Sequence, residues 1–280
     1  MNRPTDISAM TQRWADALAA WAIPQRILDD ATRDPWMLPV TGFAERADRA
    51  VNEPSGVSFE RAAEVLRNEA GSVLDVGAGA GAASLPLAPM ATRLTAVDSN
   101  RSMLDAFAER ADRLGVEHRE IEGRWPDVAA DVPAHDVAVA HHVIFNVADI
   151  APFLVALDRT SMRRVVLELP PHHPLAWLNP LWKQFHDLDR PVSPIAGDLV
   201  EILGAMGAAD LEADYWQLQD PAASDGSDGE NLAERAAVVA QRLCLPVDRE
   251  RDVAKALPDV DPGSHRDVVT ISWTPGSLRG

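Results

Sequence analysis

The segment VLDVGAGAGAAS, residues 73–84, constrains this chain more than any other. A short apolar run leads into glycines at every second position, and small residues follow. Glycine tolerates a left-handed backbone and puts no Cβ between the peptide groups and an approaching ligand. A strand, a glycine turn and a helix of small residues, in that order, open a βαβ unit. The chain then repeats the alternation: RLTAVD and NRSMLDAFAERADRLG, EHREIEG, DVAVAHH and ADIAPFLVALDR, and finally RRVVLEL. Short apolar strands separated by amphipathic helices specify an α/β fold, a parallel sheet covered on both faces.

The flanks read differently. Residues 1–70 are helical with interruptions, and form an N-terminal helical cap. Trp14, Leu18 and Trp21 recur at i, i+4 and i+7 on one helix stripe, which Pro24 ends. In SFERAAEVLRNE, Phe59, Ala62, Ala63 and Leu66 share a face, with Ser58 placed as the N-cap. After RRVVLEL come a loop, PPHHPLAWLNPLW, a helix ending near Gly207, and a strand, LEADYWQLQ. PAASDGSDGEN reads as an exposed, mobile loop, followed by a helical insert, NLAERAAVVAQRLCLPVDRERDVAKAL, and a last strand, DVVTISW. The core thus spans 71–220, and the insert with the final strand spans 221–280.

Charge and composition exclude several classes. With 26 basic against 43 acidic residues the formal net charge is −17, and the basic residues do not cluster, so a nucleic-acid partner is not expected. No run approaches 18 apolar residues, so no membrane span is expected. The start, MNRPTDISAMTQRW, lacks the order of a signal peptide, which points to a cytoplasmic location. Cys244 is the single cysteine, which excludes an internal disulfide and a cysteine-based zinc site. Oligomeric state is not legible.

Gly77, Gly79 and Ala82 satisfy the dinucleotide fingerprint, so an NAD-dependent oxidoreductase is one reading. Three details favour another ligand. Asp75 precedes the first glycine by two residues, where it suits a cationic ammonium better than a pyrophosphate. The glycines recur at every second position through Gly81, and Asp98 closes the second strand, where a carboxylate can accept both hydrogens of a ribose diol. DVGAGAG followed by AVDSNRSML resembles the first two motifs of the class I S-adenosylmethionine-dependent methyltransferases, over roughly residues 70–170.

That resemblance implies a seven-stranded, mostly parallel Rossmann-like sheet whose last strand is antiparallel. It implies S-adenosylmethionine as cofactor and methyl transfer to an oxygen or nitrogen of a small organic molecule. Asp75 would hold the methionine part, Gly77, Gly79 and Gly81 the floor, and Asp98 the ribose, with Ser99 and Met103 near the adenosine. The third strand departs from the family, since EGRWPD places Arg124 where many members carry an acid. Trp125 offers a flat ring for the adenine instead. A protein of the same fold that binds the cofactor without methylating is the other alternative.

In the family the fourth strand ends beside the donated methyl. DVAVAHH is that strand, so His141 and His142 fall at its carboxyl edge, as general base or substrate anchor. Strand alternation lets at most one of them face the methyl. His172 and His173, after the fifth strand, are placed against substrate. With His186 and Glu168 they have the chemistry of metal ligands but no HxH or HxxxH spacing, so no metal is expected. Trp177, Trp182, Tyr215 and Trp216 are candidates for an aromatic substrate wall, with Trp14 and Trp21 closing it from the N-terminal side.

Overall fold

The computed structural model describes residues 6–36, 40–219, 229–260 and 265–279. Its seven strands are β1 (Gly71–Val76), β2 (Ala91–Asp98), β3 (His118–Glu122), β4 (His135–His141), β5 (Ser161–Leu169), β6 (Ala209–Gln219) and β7 (His265–Thr274). They form one sheet in the order β3-β2-β1-β4-β5-β7-β6. β7 runs antiparallel to β5 and β6, and the remaining pairs are parallel. All of β1 is buried, as a central strand covered on both faces must be.

The helices are α1 (Ile7–Ala19), α2 (Gln25–Asp29), α3 (Val40–Asn52), α4 (Val57–Asn68), α5 (Arg101–Leu114), α6 (Ile150–Thr160), α7 (Asn179–His186), α8 (Ala196–Met206), α9 (Gly229–Arg242) and α10 (Glu250–Ala256). On one face of the sheet Ala47 of α3, Ala62 and Leu66 of α4, and Phe107 of α5 pack on Val73, Val137 and Val166. On the other face Trp14 of α1, Phe153 of α6 and Leu203 of α8 pack on Leu74, Ala138 and Val165. A third apolar cluster, with Ile27, Trp182, Val239 and Val253, joins α2, α7, α9 and α10 into a helical lobe. The N-terminal 70 residues are therefore divided among all three layers and do not form one separate cap. Each of their helices has an apolar stripe that a different layer buries.

Two local expectations fail. No α-helix follows the glycines: residues 79–84 are turns, and Leu85–Met90 is a 3₁₀ segment. Pro86 and Pro89 lack the N–H groups an α-helix would need there. Ser58 is not an N-cap. Gly56 takes that position, with φ 96°, and Ser58 lies inside α4, buried on the sheet. Of the segment expected to be a mobile loop, residues 221–228 lie outside the described residues and 229–231 open α9.

Strand register sets up the site. His141 stands beside Glu168, Glu168 beside Thr270, and Thr270 beside Asp214. Neighbours in register share a face, so these four form a polar row across β4, β5, β7 and β6. The row faces α4, whose Ser58 bonds to Thr270 and whose Arg61 bonds to Asp214.

Candidate active site

The carboxyl ends of the parallel strands open into a cleft of about 2020 Å³. Ligand pockets commonly measure about 300–1,000 Å³, so a cofactor and a second molecule fit together. Gly77, Gly79, Asp98, Ser99, Met103, Arg124 and Trp125 all line it, as do His141, His142 and Glu168.

Gly77, Gly79 and Gly81 are all left-handed, with φ of 70°, 54° and 96°. A Cβ on Gly79 would project toward Phe43 of α3, 3.7 Å away, and fill the gap between turn and helix. The N–H groups of Gly77 and Ala78 donate to Val97 O (2.8 and 3.1 Å), and that of Gly81 to Ala78 O (2.8 Å). The Gly79 N–H donates to Asp98 Oδ2 at 2.9 Å. With these four amides engaged in the turn and no α-helix N-terminus after it, a pyrophosphate would lack its usual helix-end partner. One carboxylate, Asp98, borders the turn on the cleft side instead. Its acceptor chemistry fits a ribose-bearing ligand.

Asp98 accepts from Gly79 and, through Oδ1, from the Asn100 N–H at 2.9 Å. Each oxygen keeps a further lone pair for a hydroxyl. Trp125 is buried, and its indole N–H donates to Phe153 O at 3.2 Å, which fixes the ring at the cleft wall. Two residues of the expected cofactor set sit elsewhere. Asp75 does not line the cleft. Its Oδ2 accepts from the Ser84 hydroxyl at 2.6 Å, and its Oδ1 is buried without a partner. Burial pushes its carboxyl up to about 7, with Ser84 opposing and the Asp98 charge adding to the rise. A Cβ on Gly81 would meet Leu85 at 2.5 Å and Phe107 at 2.6 Å, so this glycine serves packing beneath the floor.

The histidine pair departs from simple alternation. His142 follows the end of β4 with φ 58°, and its N–H donates to Glu168 O at 2.7 Å. That left-handed turn brings its ring back toward the side His141 already faces. His142 Nε2 lies 3.1 Å from Glu168 Oε1, and His141 Nδ1 lies 3.9 Å from the same oxygen. Both rings converge on one carboxylate. Burial would raise the Glu168 carboxyl, but the two imidazoles and hydrogen bonds from His142 and Ser58 outweigh it and hold it at about 2. Burial pushes the His141 imidazole below its ordinary value, so it is neutral near pH 7. In the neutral form of the His142 ring, a carboxylate facing Nε2 favours the proton there and leaves the Nδ1 lone pair available. Its side chain is 41% exposed against 17% for His141. His142 is the ring a second molecule can reach.

The remaining aromatic residues separate into walls and supports. His173 lines the cleft, stacked on Trp21 at 3.8 Å and edge-on to Phe145 at 5.5 Å. Burial and the Arg190 charge hold it neutral, pushed down to about 4. His172 also lines the cleft and is exposed. Trp177 and Trp216 line it as well. Trp182 does not reach it: it occupies the buried face of α7 in the helical lobe, against His186 and Arg190. Tyr215 does not either, because alternation along β6 sends Trp216 toward α4 and leaves Tyr215 63% exposed outside. Glu168, which the sequence offered only as a weak metal ligand, is the partner of the histidine pair. Among the described residues no group of three His, Cys, Asp or Glu side chains is placed to hold a metal.

A family model described as a methyltransferase domain matches residues 73–161. The ubiquinone biosynthesis O-methyltransferase of Caulobacter sp. (strain K31) is 28% identical over 160 residues, covering 49% of this chain and 62% of that protein. The solved S-adenosylmethionine-dependent methyltransferase of Thiobacillus denitrificans, in complex with S-adenosyl-L-homocysteine, superposes with a TM-score of 0.51 at 16% identity, covering 86% of this chain and 99% of that one. Over residues 73–161 the chain thus matches a methyltransferase domain, and its fold is that of the solved S-adenosylmethionine-dependent methyltransferase. An uncharacterized protein of Haemophilus influenzae is 32% identical over 124 residues, 43% of this chain and 45% of that protein. The chain therefore spans between 45% and 62% of the length of these curated relatives. The seven strands, their mostly parallel pairing and the antiparallel β7 are those the sequence resemblance implied.

Proposed function

We propose that this methyltransferase moves a methyl group from S-adenosylmethionine to an oxygen or nitrogen of a small organic molecule, with His142 as general base. The observation that carries this reading is the His142–Glu168 pair, which opens into the same cleft as the glycine turn and Asp98. Bound S-adenosylmethionine supplies an electrophilic methyl on a sulfonium centre. Gly77 and Gly79 leave room for close approach, Asp98 receives the ribose hydroxyls, and Trp125 borders the adenine side. His142 Nδ1 takes the proton that the attacking oxygen or nitrogen must lose. The Glu168 carboxylate holds the ring in its Nε2–H tautomer and stabilises the imidazolium that forms.

Phe59, Trp177 and Trp216 give the acceptor side an apolar, aromatic wall, which suits a compact and largely flat molecule. The curated O-methyltransferase relative supports oxygen as the attacking atom. The acidic chain, without a basic cluster, speaks against RNA as acceptor.

The test is S-adenosylhomocysteine formation across a panel of phenols, carboxylic acids and amines. His142→Ala should lower kcat by about 10²–10⁴-fold, the usual worth of a positioned base, while S-adenosylhomocysteine binds as before. Undiminished kcat in that variant would remove His142 from the chemistry. Tighter binding of NAD than of S-adenosylmethionine would overturn the cofactor.

A further inference from the structure

The layer between α4 and the sheet is built largely from Ala62, Ala63, Leu66, Val137 and Val166, and a hydrogen-bonded line crosses it. Ser58 and Thr270 are 1% and 0% exposed, and Glu168 beside them is 8% exposed. Buried hydroxyls are costly unless partnered, and alanine and valine would fill the same space. Here the hydroxyls are partnered in series. The Trp216 indole N–H donates to Thr270 Oγ1 at 2.9 Å. Thr270 Oγ1 and Ser58 Oγ lie 2.6 Å apart. Thr270 is the register neighbour of Glu168, and the nearby Ser58 hydroxyl helps to hold the Glu168 carboxyl down.

The ends of the line fix its direction. An indole can only donate, and a carboxylate can only accept. The proton order that satisfies both ends runs from Trp216 to Thr270, from Thr270 to Ser58, and from Ser58 toward Glu168. Glu168 then has the Ser58 hydroxyl on the α4 side and His142 on the cleft side. Trp216 is itself fixed: a Cβ on Gly56 would lie 2.5 Å from its ring, so the ring sits flush on the start of α4.

We propose that Ser58, Thr270 and Trp216 are positioning residues that hold the Glu168 carboxylate in place for His142. Trp216 faces the cleft, so the line runs from the acceptor wall to the base. This rests on the function proposed above, and the decisive measurement is chosen to be independent of turnover.

Nitrogen NMR of labelled histidine at neutral pH, with His142→Ala identifying the resonances, reads the tautomer of that ring in the cofactor-free protein. The wild type and Ser58→Thr should show the single Nε2–H form, and Ser58→Ala and Thr270→Val a mixture of both forms. In kinetics, Ser58→Ala and Thr270→Val should each lower kcat about tenfold with the KM for S-adenosylmethionine unchanged. Ser58→Thr should recover most of the loss. Ser58→Ala placed on Glu168→Gln should add nothing, because residues acting through one group are not additive.

A single tautomer retained in both Ser58→Ala and Thr270→Val would overturn the proposal. So would losses from Ser58→Ala and Glu168→Gln that multiply, since that marks two independent structural effects. If the tautomers respond as expected but the wild type makes no S-adenosylhomocysteine with any acceptor, the positioning of Glu168 stands and the proposed reaction falls.

Discussion

Asp75 shows how a motif residue can be read correctly as to place and not as to contact. It lies at the end of β1, as the sequence indicates, yet it is 1% exposed and points beneath the glycine turn. Burial lifts its carboxyl from 3.8 to about 7, so between those values the folded chain holds a proton that the unfolded chain has released. A state that binds more protons is favoured at low pH, so this group makes folding stability fall as pH rises through that window. Denaturation of the cofactor-free protein should therefore show wild type losing stability relative to Asp75→Asn between pH 4 and 7, at up to about 1.4 kcal/mol per pH unit. A difference independent of pH would mean that Asp75 is ionised when folded. Gly81 gives a second test at this scale. Gly81→Ala meets Leu85 and Phe107 at a φ of 96°, and should lower the unfolding midpoint in urea by more than the Gly79 equivalent, which meets only Phe43 at 3.7 Å. The regular spacing of the glycines made the three look equivalent. Their difference lies in which side chains stand opposite, which spacing does not carry. The same holds for the histidines: the strand end was legible, but the left-handed φ of His142 was not, and that angle decides that both rings meet Glu168.

At the scale of elements, the strands and the helices α5, α6 and α8 follow from periodicity, because burial of one face imposes it. What periodicity misses are features decided by backbone donors or by distant contacts. Two prolines turn the expected helix after the glycines into a 3₁₀ segment. A column of rings drawn from four separate segments backs the cleft wall at His173. Trp14 stacks near Phe145, Phe145 meets His173 edge-on, His173 stacks on Trp21, and Arg190 lies between the Trp21 and Trp182 rings. The Trp21 indole N–H also donates to Ser193 O at 2.6 Å. These pairs are up to 172 residues apart in the chain, so no local pattern announces them. Truncating the column at its centre, Trp21→Ala, should cost about 3–5 kcal/mol in chemical denaturation, as for other buried tryptophans. S-adenosylhomocysteine affinity should stay near wild type, since the turn and Asp98 belong to β1 and β2. The column also has a pH dependence opposite to that of Asp75. His173 is pushed from 6.5 to about 4, so the folded state binds fewer protons in that window, and stability grows as pH rises through it. His173→Phe should remove that part of the acid-side loss.

For the whole molecule, the cleft is where the three packing layers meet. The β1 and β2 ends come from the sheet, Phe43 from the layer of α3, Phe153 from the layer of α6, and Val239 from the helical lobe. A ligand that bridges them binds the folded chain and not the unfolded one, so it must raise the stability of the whole by RT ln(1 + [L]/Kd). At a hundredfold excess over Kd that is about 2.7 kcal/mol, which for a domain of this size raises the melting temperature by about 5 °C. S-adenosylhomocysteine should produce this shift, and Asp98→Ala should abolish most of it by removing the acceptor for the ribose hydroxyls. NAD at the same concentration should produce none, because the amides of Gly77, Ala78 and Gly79 are already engaged and no helix N-terminus follows to receive a pyrophosphate. An equal shift with NAD would mean that the turn rearranges on binding, and it would return the dinucleotide reading of the fingerprint. A shift with S-adenosylhomocysteine that survives Asp98→Ala would place the ribose away from the end of β2, and with it the methyl away from His142.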